Sequence, residues 1–181
     1  MRVFGFERQI YQGLEVGLGI HAACRETGRQ VPIVSLNGTE EAATLIRDSF
    51  FLASHCGFPH WTGGYMVARL FDALHALKPT VPERMMFSYG TLITKENAQR
   101  YLDMFHGGKK LPYDWTRMSR VLHPDDWDPQ NGLTPVQPME YFARLGIPKP
   151  SGYELPKEYE DADFDGIAKL YDDHWQRKFF V

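Results

Sequence analysis

The sequence predicts a mixed α/β fold with a parallel sheet and helices on both faces. Over residues 31–94, short apolar segments rich in β-branched residues alternate with segments of helical spacing. The apolar segments stop at polar, glycine-containing turns, such as Asn37-Gly38-Thr39, before the next helical pattern begins. This alternation is typical of parallel sheets that are covered on both faces. In such sheets ligands bind where strands end and helices begin, so the turns are the candidate functional positions.

The composition excludes several classes of function. Of the 181 residues, 43% are hydrophobic and 24% are charged, which fits a globular protein with a substantial core rather than a disordered one. The formal net charge is −3 and no run of Lys and Arg occurs, which argues against nucleic acid as a partner. No apolar run approaches the roughly 20 residues of a membrane span, so we expect no membrane-spanning segment. The residues after Met1 are typical of a strand and not of a signal peptide.

Periodicity places the individual elements. It predicts strands over 3–6, 31–36, 50–55 and, more loosely, 84–93, and helices over 11–27, 40–49, 61–77 and 95–105. In the first helix, three internal glycines either allow close packing on a sheet or mean that the helix begins only near Glu15. Gly28 is well placed to end that helix, and Thr94 is well placed to cap the last one. In the helix over 61–77, Met66, Leu70 and Leu74 share one apolar side.

The C-terminal part of the chain has a different character. Residues 111–156 contain eight of the twelve prolines, which interrupt long helices and central strands. Its many aromatic residues supply large apolar areas and argue against disorder. We therefore predict an α/β segment over 1–108 and an extended segment over 109–181 that packs on it, with short helices near 137–145 and 164–178.

Three pieces of the sequence resemble one family in their order and spacing. They are ACRETGRQVPIVSLNGTEEAATLIRDSF, FPHWTGGYMVARLFDAL and TLITKENAQRYL. In these pieces the chain resembles the C-terminal part of type I periplasmic sugar-binding proteins, the ribose-binding-like receptors of ABC transporters, whose fold the LacI-type regulators share. The resemblance covers about the first 105 residues. It implies a periplasmic protein that closes two lobes around a sugar or polyol and then contacts a membrane permease.

The resemblance also implies ligand-binding positions. The family usually has Asp at the strand end where this chain has Asn37, whose amide can bond hydroxyls without a charge-assisted hydrogen bond. An Asn-Asp pair is expected after the first strand. One alignment places that pair at Glu7 and Arg8, and another places it at Gly13 and Leu14. We prefer Glu7 and Arg8, because they directly follow the strand and carry groups that can bond a diol.

The loop after the second strand supplies the remaining candidates. The family's third polar position falls on Gly57, which leaves His55 or Cys56 for a polar contact, and we take His55. Sugar sites combine hydrogen-bonding groups with an aromatic face, so Phe58 and Trp61 are the stacking candidates. Each also has a structural interpretation, since His55 could be a hydrogen-bonded core histidine and the turn at Asn37 a simple helix cap.

Two other functions stay open. The chain could be the effector-binding part of a LacI-type regulator, or an unrelated α/β enzyme with the acidic loop over 123–128 as its site. That loop resembles a metal cluster, but it lacks the glycine turn and the closing Glu of a calcium loop. No nucleophile elbow, HExxH motif or phosphate-binding glycine loop occurs. We therefore expect a binding protein rather than an enzyme, without metal or cofactor. Homo-oligomerisation and the pairing of Cys24 with Cys56 stay open.

Overall fold

The computed structural model describes residues 14–179, which form helices and two small sheets. The helices are α1 (Leu14–Thr27), α2 (Glu40–Arg47), α3 (Pro59–Leu74), α4 (Ala98–Phe105), α5 (Pro138–Leu145), α6 (Lys157–Glu160) and α7 (Phe164–His174). The strands are β1 (Val34–Leu36), β2 (Ala53–Cys56), β3 (Met86–Ser88), β4 (Thr91–Ile93) and β5 (Leu133–Pro135). Short 3₁₀ turns occupy Pro82–Arg84 and Thr116–Met118. Within the described residues, no helix combines the length and the apolar character that crossing a membrane requires.

The contacts group the chain into two compact units. Unit 1 contains the residues up to Pro59 together with Gly90–Pro112, and unit 2 contains His60–Tyr89 together with the residues from Tyr113 onward. This grouping differs from the predicted division between residues 108 and 109. The difference arises because α3 and β3 contact the C-terminal residues: Trp61 and Asp72 of α3 bond Pro129 and Ser119, and β3 pairs with β5.

Unit 1 contains a three-stranded sheet in the order β1-β2-β4. β1 and β2 are parallel, with Val34 opposite Ala53, as the strand–helix alternation predicts. β4 is antiparallel to β2, with Ser54 opposite Ile93, so the expectation of a wholly parallel sheet is wrong for this strand. The observed class is therefore mixed α/β with small sheets.

The predicted strand over 84–93 is divided between the two sheets. Its first part becomes β3, which pairs with β5, and its last part becomes β4. Gly90 separates the two parts at a point where the chain passes close to β2. A Cβ atom on Gly90 would lie 2.5 Å from Nε2 of His55 and 2.7 Å from the carbonyl oxygen of Cys56. Only glycine permits this approach, and local periodicity does not reveal it.

The core of unit 1 lies between the sheet, α2 and α4. It contains Ala42, Ala43 and Ile46 of α2, Cys56 and Ile93 of the sheet, and Ala98, Tyr101, Leu102 and Phe105 of α4. Thr39 caps α2, since its Oγ1 accepts a hydrogen bond from the amide of Ala42 at 3.2 Å. The predicted cap of α4 at Thr94 is wrong, because Asn97 occupies that position and its side chain instead bonds the amide of Thr94. Gly28 has a φ of 66° directly after α1, as predicted for a residue that ends a helix.

Unit 2 is built from α3 and the proline-rich C-terminal residues. Its core includes Trp61 of α3 together with Met118, Trp127 and Tyr171. The predicted short helices are confirmed as α5 and α7, although α7 ends at His174. α7 begins directly after Asp163, whose side chain caps it by accepting a hydrogen bond from the amide of Gly166. Within residues 109–179 the structure thus places a 3₁₀ turn, one short strand and three helices, and the rest of this segment has no regular secondary structure.

The apolar side of α3 is not the side that it buries. Met66, Leu70 and Leu74 are 65%, 61% and 76% exposed, whereas Ala68 and Asp72 are buried. Asp72 is completely covered because it binds the loop after the second 3₁₀ turn. Its carboxylate accepts hydrogen bonds from Oγ of Ser119 and from the amides of Arg120 and Val121. Hydrogen bonding of a buried carboxylate therefore determines how α3 is oriented, against its hydrophobic pattern.

A second buried carboxylate, Glu83, connects the 3₁₀ turn at Pro82–Arg84 to α7. It accepts a hydrogen bond from the Tyr171 hydroxyl at 2.7 Å, and the guanidinium groups of Arg120 and Arg69 lie at 2.8 and 3.4 Å. Burial raises the pKa of the Glu83 carboxyl. Hydrogen bonds from Thr80 and Tyr171 and the charge of Arg69 outweigh burial, so this pKa lies below its ordinary value of 4.5.

Candidate functional site

The carboxyl ends of β1 and β2 meet at one edge of the unit 1 sheet. Because the strands are parallel and Leu36 lies opposite His55, the residues that follow them are neighbours. The amide of Asn37 donates a hydrogen bond to the carbonyl oxygen of His55 at 2.7 Å. Phe58 follows two residues after β2 ends. Three of the predicted site residues, Asn37, His55 and Phe58, therefore belong to the same edge.

Two of these residues have a left-handed backbone. The φ angles are 82° at Asn37 and 51° at Phe58. Asparagine tolerates this region, but for a bulky residue such as phenylalanine it is an outlier that costs about 1 kcal/mol or more. Strained residues of this kind cluster at functional sites. Their coincidence at the ends of two adjacent strands makes this edge the candidate site.

Buried groups hold the two strand-end loops in place. The hydroxyl of Tyr101 donates to the carbonyl oxygen of Gly38 at 2.6 Å. The same hydroxyl lies 3.2 Å from Sγ of Cys56, which in turn accepts from the amide of Phe58 at 3.3 Å. The amide of Gly38 donates to Oγ of Ser54 at 3.3 Å. One side chain of α4 thus fixes the loops after both strands.

Gly38 is required at its position. Its φ is 54°, and a Cβ atom would lie 2.6 Å from Cβ of Cys56 and 2.8 Å from Cδ1 of Ile93. No other residue fits there without moving the core. The turn therefore presses its backbone against the sheet, while the neighbouring Asn37 is exposed.

The predicted site residues have different surroundings. The side chains of Asn37 and His55 are exposed, and the Asn37 amide group has no hydrogen-bond partner within residues 14–179. The ring of Phe58 is half-buried and lies 5.7 Å from the ring of Phe105. Glu7 and Arg8 lie outside the described residues. The ligand-binding roles of all these residues stay predictions.

Trp61 is part of the core of unit 2. Its side chain is 2% exposed, and its indole N–H donates to the carbonyl oxygen of Pro129 at 2.6 Å. Its ring stacks on that of Tyr65, with 5.0 Å between the centroids. These contacts give Trp61 a structural role within unit 2, and its role as a ligand contact stays a prediction.

Sequence reasoning missed Tyr101 as a member of the site. The helical spacing over 95–105 places Tyr101 on a helix but does not link it to Gly38, which lies 63 residues away along the chain. A signal was present, since a tyrosine on the buried side of a helix needs a partner for its hydroxyl. The sequence could not show which carbonyl that partner would be.

The electrostatics of the edge disfavour an anionic ligand. α2 begins here, and a free helix N-terminus attracts phosphate or carboxylate groups. Glu40 and Glu41 occupy the first turn of α2, however, and both are exposed beside the edge. Their charges repel an incoming anion. An uncharged or positively charged group is therefore compatible with this edge, whereas an anion is disfavoured.

The acidic loop over 123–128 is engaged in ion pairs. Oδ1 of Asp126 lies 3.0 Å from Nδ1 of His123, and its Oδ2 lies 2.7 Å from the guanidinium of Arg117. Among the described residues, no three His, Cys, Asp or Glu side chains are grouped so that they could hold a metal ion. Cys24 and Cys56 are both free thiols.

Comparison with known proteins gives one structural likeness. No family model matches the chain, and no curated protein matches it. A solved structure that resembles it is a twin-arginine translocation pathway signal protein from Burkholderia phytofirmans, at 23% identity and a TM-score of 0.48. The match covers 59% of this chain and 35% of that protein, so the chain corresponds to a minor part of the protein it resembles. Because a TM-score of 0.48 is too low to support an argument about the fold, the fold is described from the observed helices and strands alone.

Proposed function

We propose that this chain is part of a solute-binding protein and that the edge formed by β1 and β2 contacts a sugar or polyol. The observation that carries the proposal is the Asn37 amide group. It is exposed and without a hydrogen-bond partner within residues 14–179, while the backbone that carries it is fixed by His55. An amide both donates and accepts hydrogen bonds, so it matches the hydroxyl groups of a carbohydrate.

The neighbouring side chains suit the same ligand. The exposed ring of His55 offers nitrogen atoms for a further hydroxyl, and the half-buried ring of Phe58 offers an apolar face. Because the loops are held by Tyr101 and Cys56, little conformational freedom is lost when a ligand binds. Glu40 and Glu41 act against sugar phosphates and in favour of neutral sugars.

The wider assignment rests on the three pieces that resemble type I periplasmic sugar-binding proteins. By that resemblance, the chain is a component of a carbohydrate ABC transporter in the periplasm. Closure with a second lobe would complete the ligand site and create the surface that the permease recognises. The pieces correspond to the C-terminal part of that fold, so the other lobe would come from sequence outside the resemblance.

A thermal-shift screen of the 181-residue chain tests the proposal. Pentoses, hexoses and polyols are added in turn, each with its sugar phosphate as the charged counterpart. A ligand at a hundredfold excess over its Kd stabilises the folded state by about 2.7 kcal/mol. We expect a shift with at least one neutral sugar and a smaller shift with its phosphate. A cooperative melt that no neutral compound shifts would contradict the proposal.

A further inference from the structure

Unit 1 contains a cavity at the opposite edge of its sheet from Asn37. The site is lined by residues that precede the strands, namely 31–33 before β1 and 50–52 before β2, together with the end of α1. Its volume is about 770 Å³, which is in the range of pockets that bind small molecules. The proposed sugar contacts make no use of this cavity.

The floor of the cavity is apolar. Ile33, Ile46 and Phe51 line it and are almost completely buried, while Phe50 is 52% exposed beside them. The ring of His21 packs edge-on against Phe50, with 4.9 Å between the centroids. The apolar surface that a ligand can reach comes mainly from Phe50 and from Leu52, which is 61% exposed, and this surface can cover one face of a ring-sized apolar group.

The charged residues of the cavity all have the same sign. Arg25, Arg29 and Lys95 line it, and none of the described residues that line it is Asp or Glu. Within residues 14–179, none of these three cations forms a salt bridge. Glu96 follows Lys95 but does not line the cavity, and its carboxylate is bonded to the Thr94 hydroxyl.

Nearby helix ends do not cancel this charge. α1 and α2 both end beside the cavity, and each helix C-terminus contributes roughly half a negative charge. Part of this negative charge is compensated, because the amides of Arg29 and Phe50 donate hydrogen bonds to the carbonyl oxygens of Cys24 and Leu45 at 3.0 and 2.8 Å. The charge of Glu96 interacts with that of Lys95 and offsets part of it, so Arg25 and Arg29 are the main source of positive potential in the cavity.

We propose that this cavity binds a small organic anion with an apolar, ring-sized body, such as an aromatic carboxylate. The carboxylate pairs with the cations at the rim, and the ring covers the apolar floor. The proposal stands apart from the sugar-binding function, because it uses the amino-terminal edge of the strands and a ligand of opposite charge preference.

Cys24 provides a direct readout of occupancy. It lines the cavity and is partly exposed, whereas Cys56 is fully buried and reacts only when the fold opens. In the 181-residue protein, the rate of modification by neutral 4,4′-dithiodipyridine then has a fast phase from Cys24. The variant Cys24→Ser assigns that phase by removing it. Protection is compared between 1-naphthoate and uncharged 1-naphthamide, which have the same apolar body.

We expect naphthoate to protect Cys24 at concentrations at least about fivefold lower than naphthamide does. Arg25→Ala, Arg29→Ala and Lys95→Ala should each weaken naphthoate protection by about two- to fivefold, since exposed ion pairs have this strength. Protection by naphthamide should not change. Lys110→Ala makes the same change in net charge at an exposed position outside the cavity and should leave naphthoate protection unchanged. Equal protection by the two compounds, no protection by naphthoate, or an equal loss in Lys110→Ala would each overturn the proposal.

Discussion

The hydroxyl of Tyr101 donates a hydrogen bond to the carbonyl oxygen of Gly38 across 2.6 Å. Both groups are buried, so the bond lies beneath the candidate site. Since the same hydroxyl contacts Sγ of Cys56, it joins α4 to the ends of β1 and β2. The exposed edge that carries Asn37 is therefore shaped by the core before any ligand arrives, as a preorganised site requires.

Replacing Tyr101 by Phe should test this support. The change leaves the buried carbonyl of Gly38 without its donor, which should destabilise unit 1 by about 1–3 kcal/mol. The rate at which the buried thiol of Cys56 becomes reactive in urea measures the opening of unit 1. Gln99→Ala, at an exposed position on the same helix of unit 1, should change stability by less than about 0.5 kcal/mol. If the two variants opened alike, the Tyr101 bond would not support the loops.

The left-handed backbone at Asn37 predicts a difference between two small substitutions. Asn37→Gly keeps a residue that accepts positive φ, whereas Asn37→Ala introduces a Cβ atom that does not. We expect Asn37→Ala to be less stable than Asn37→Gly by about 1 kcal/mol in chemical denaturation. Equal stability of the two variants would show that the backbone relaxes out of this conformation.

Glu83 predicts an acid-sensitive contribution to the stability of unit 2. Its folded-state pKa lies below its ordinary value of 4.5, so the unfolded chain binds the proton more readily. Its contribution is therefore complete above about pH 4.5 and is lost as the pH falls through the lower, folded-state pKa. In Glu83→Gln this component is absent, and the stability should fall less steeply with acid.

The four tryptophans make this prediction measurable in one unit. Trp61, Trp115, Trp127 and Trp175 all belong to unit 2, so indole fluorescence follows its unfolding alone. Glu160→Gln, at an exposed position, is the matched control and should retain the acid response. If the stability of Glu83→Gln fell as steeply with acid as that of the unchanged chain, Glu83 would not be the source of this acid sensitivity.

Asp72 should be the most sensitive carboxylate of unit 2. It is completely buried and bonds Ser119, two backbone amides and the guanidinium of Arg69. Asp72→Ala leaves these donors without their acceptor and should cost about 3–5 kcal/mol in tryptophan-detected unfolding. Asp161→Ala, an exposed change on the same unit, should cost much less. A small effect of Asp72→Ala would mean that the loop at 119–121 is held by other contacts.

Local patterns predict the parts of the fold that depend on neighbouring residues. The alternation of apolar runs and helical spacing predicts β1, α2, β2 and α3 in order, because strand and helix preferences act over a few residues. The division of the segment over 84–93 between two sheets depends on the approach of Gly90 to His55. That contact joins residues 35 positions apart, so the periodicity of the sequence does not indicate it.

For the candidate site too, local features could be predicted from the sequence and tertiary contacts could not. Asn37, His55 and Phe58 could be named because a position at the end of a strand is a local property. The burial of Trp61 could not be predicted, since its hydrogen bond to Pro129 is a tertiary contact. The prediction of which side of α3 is buried was wrong for a similar reason. Its apolar stripe predicts one buried side, and the hydrogen bonds of Asp72 bury another.

The most direct test of the central claim is calorimetric titration of the 181-residue chain with the sugar or polyol that gives the largest thermal shift. We expect Asn37→Gly, which keeps the backbone conformation, to weaken binding by at least about 1 kcal/mol, because the hydroxyl partner loses its amide. Gln99→Ala, which removes an exposed amide from α4, should bind as the unchanged chain does. Equal affinity of Asn37→Gly and the unchanged chain would contradict the account, because the edge of β1 and β2 would then not be the ligand site.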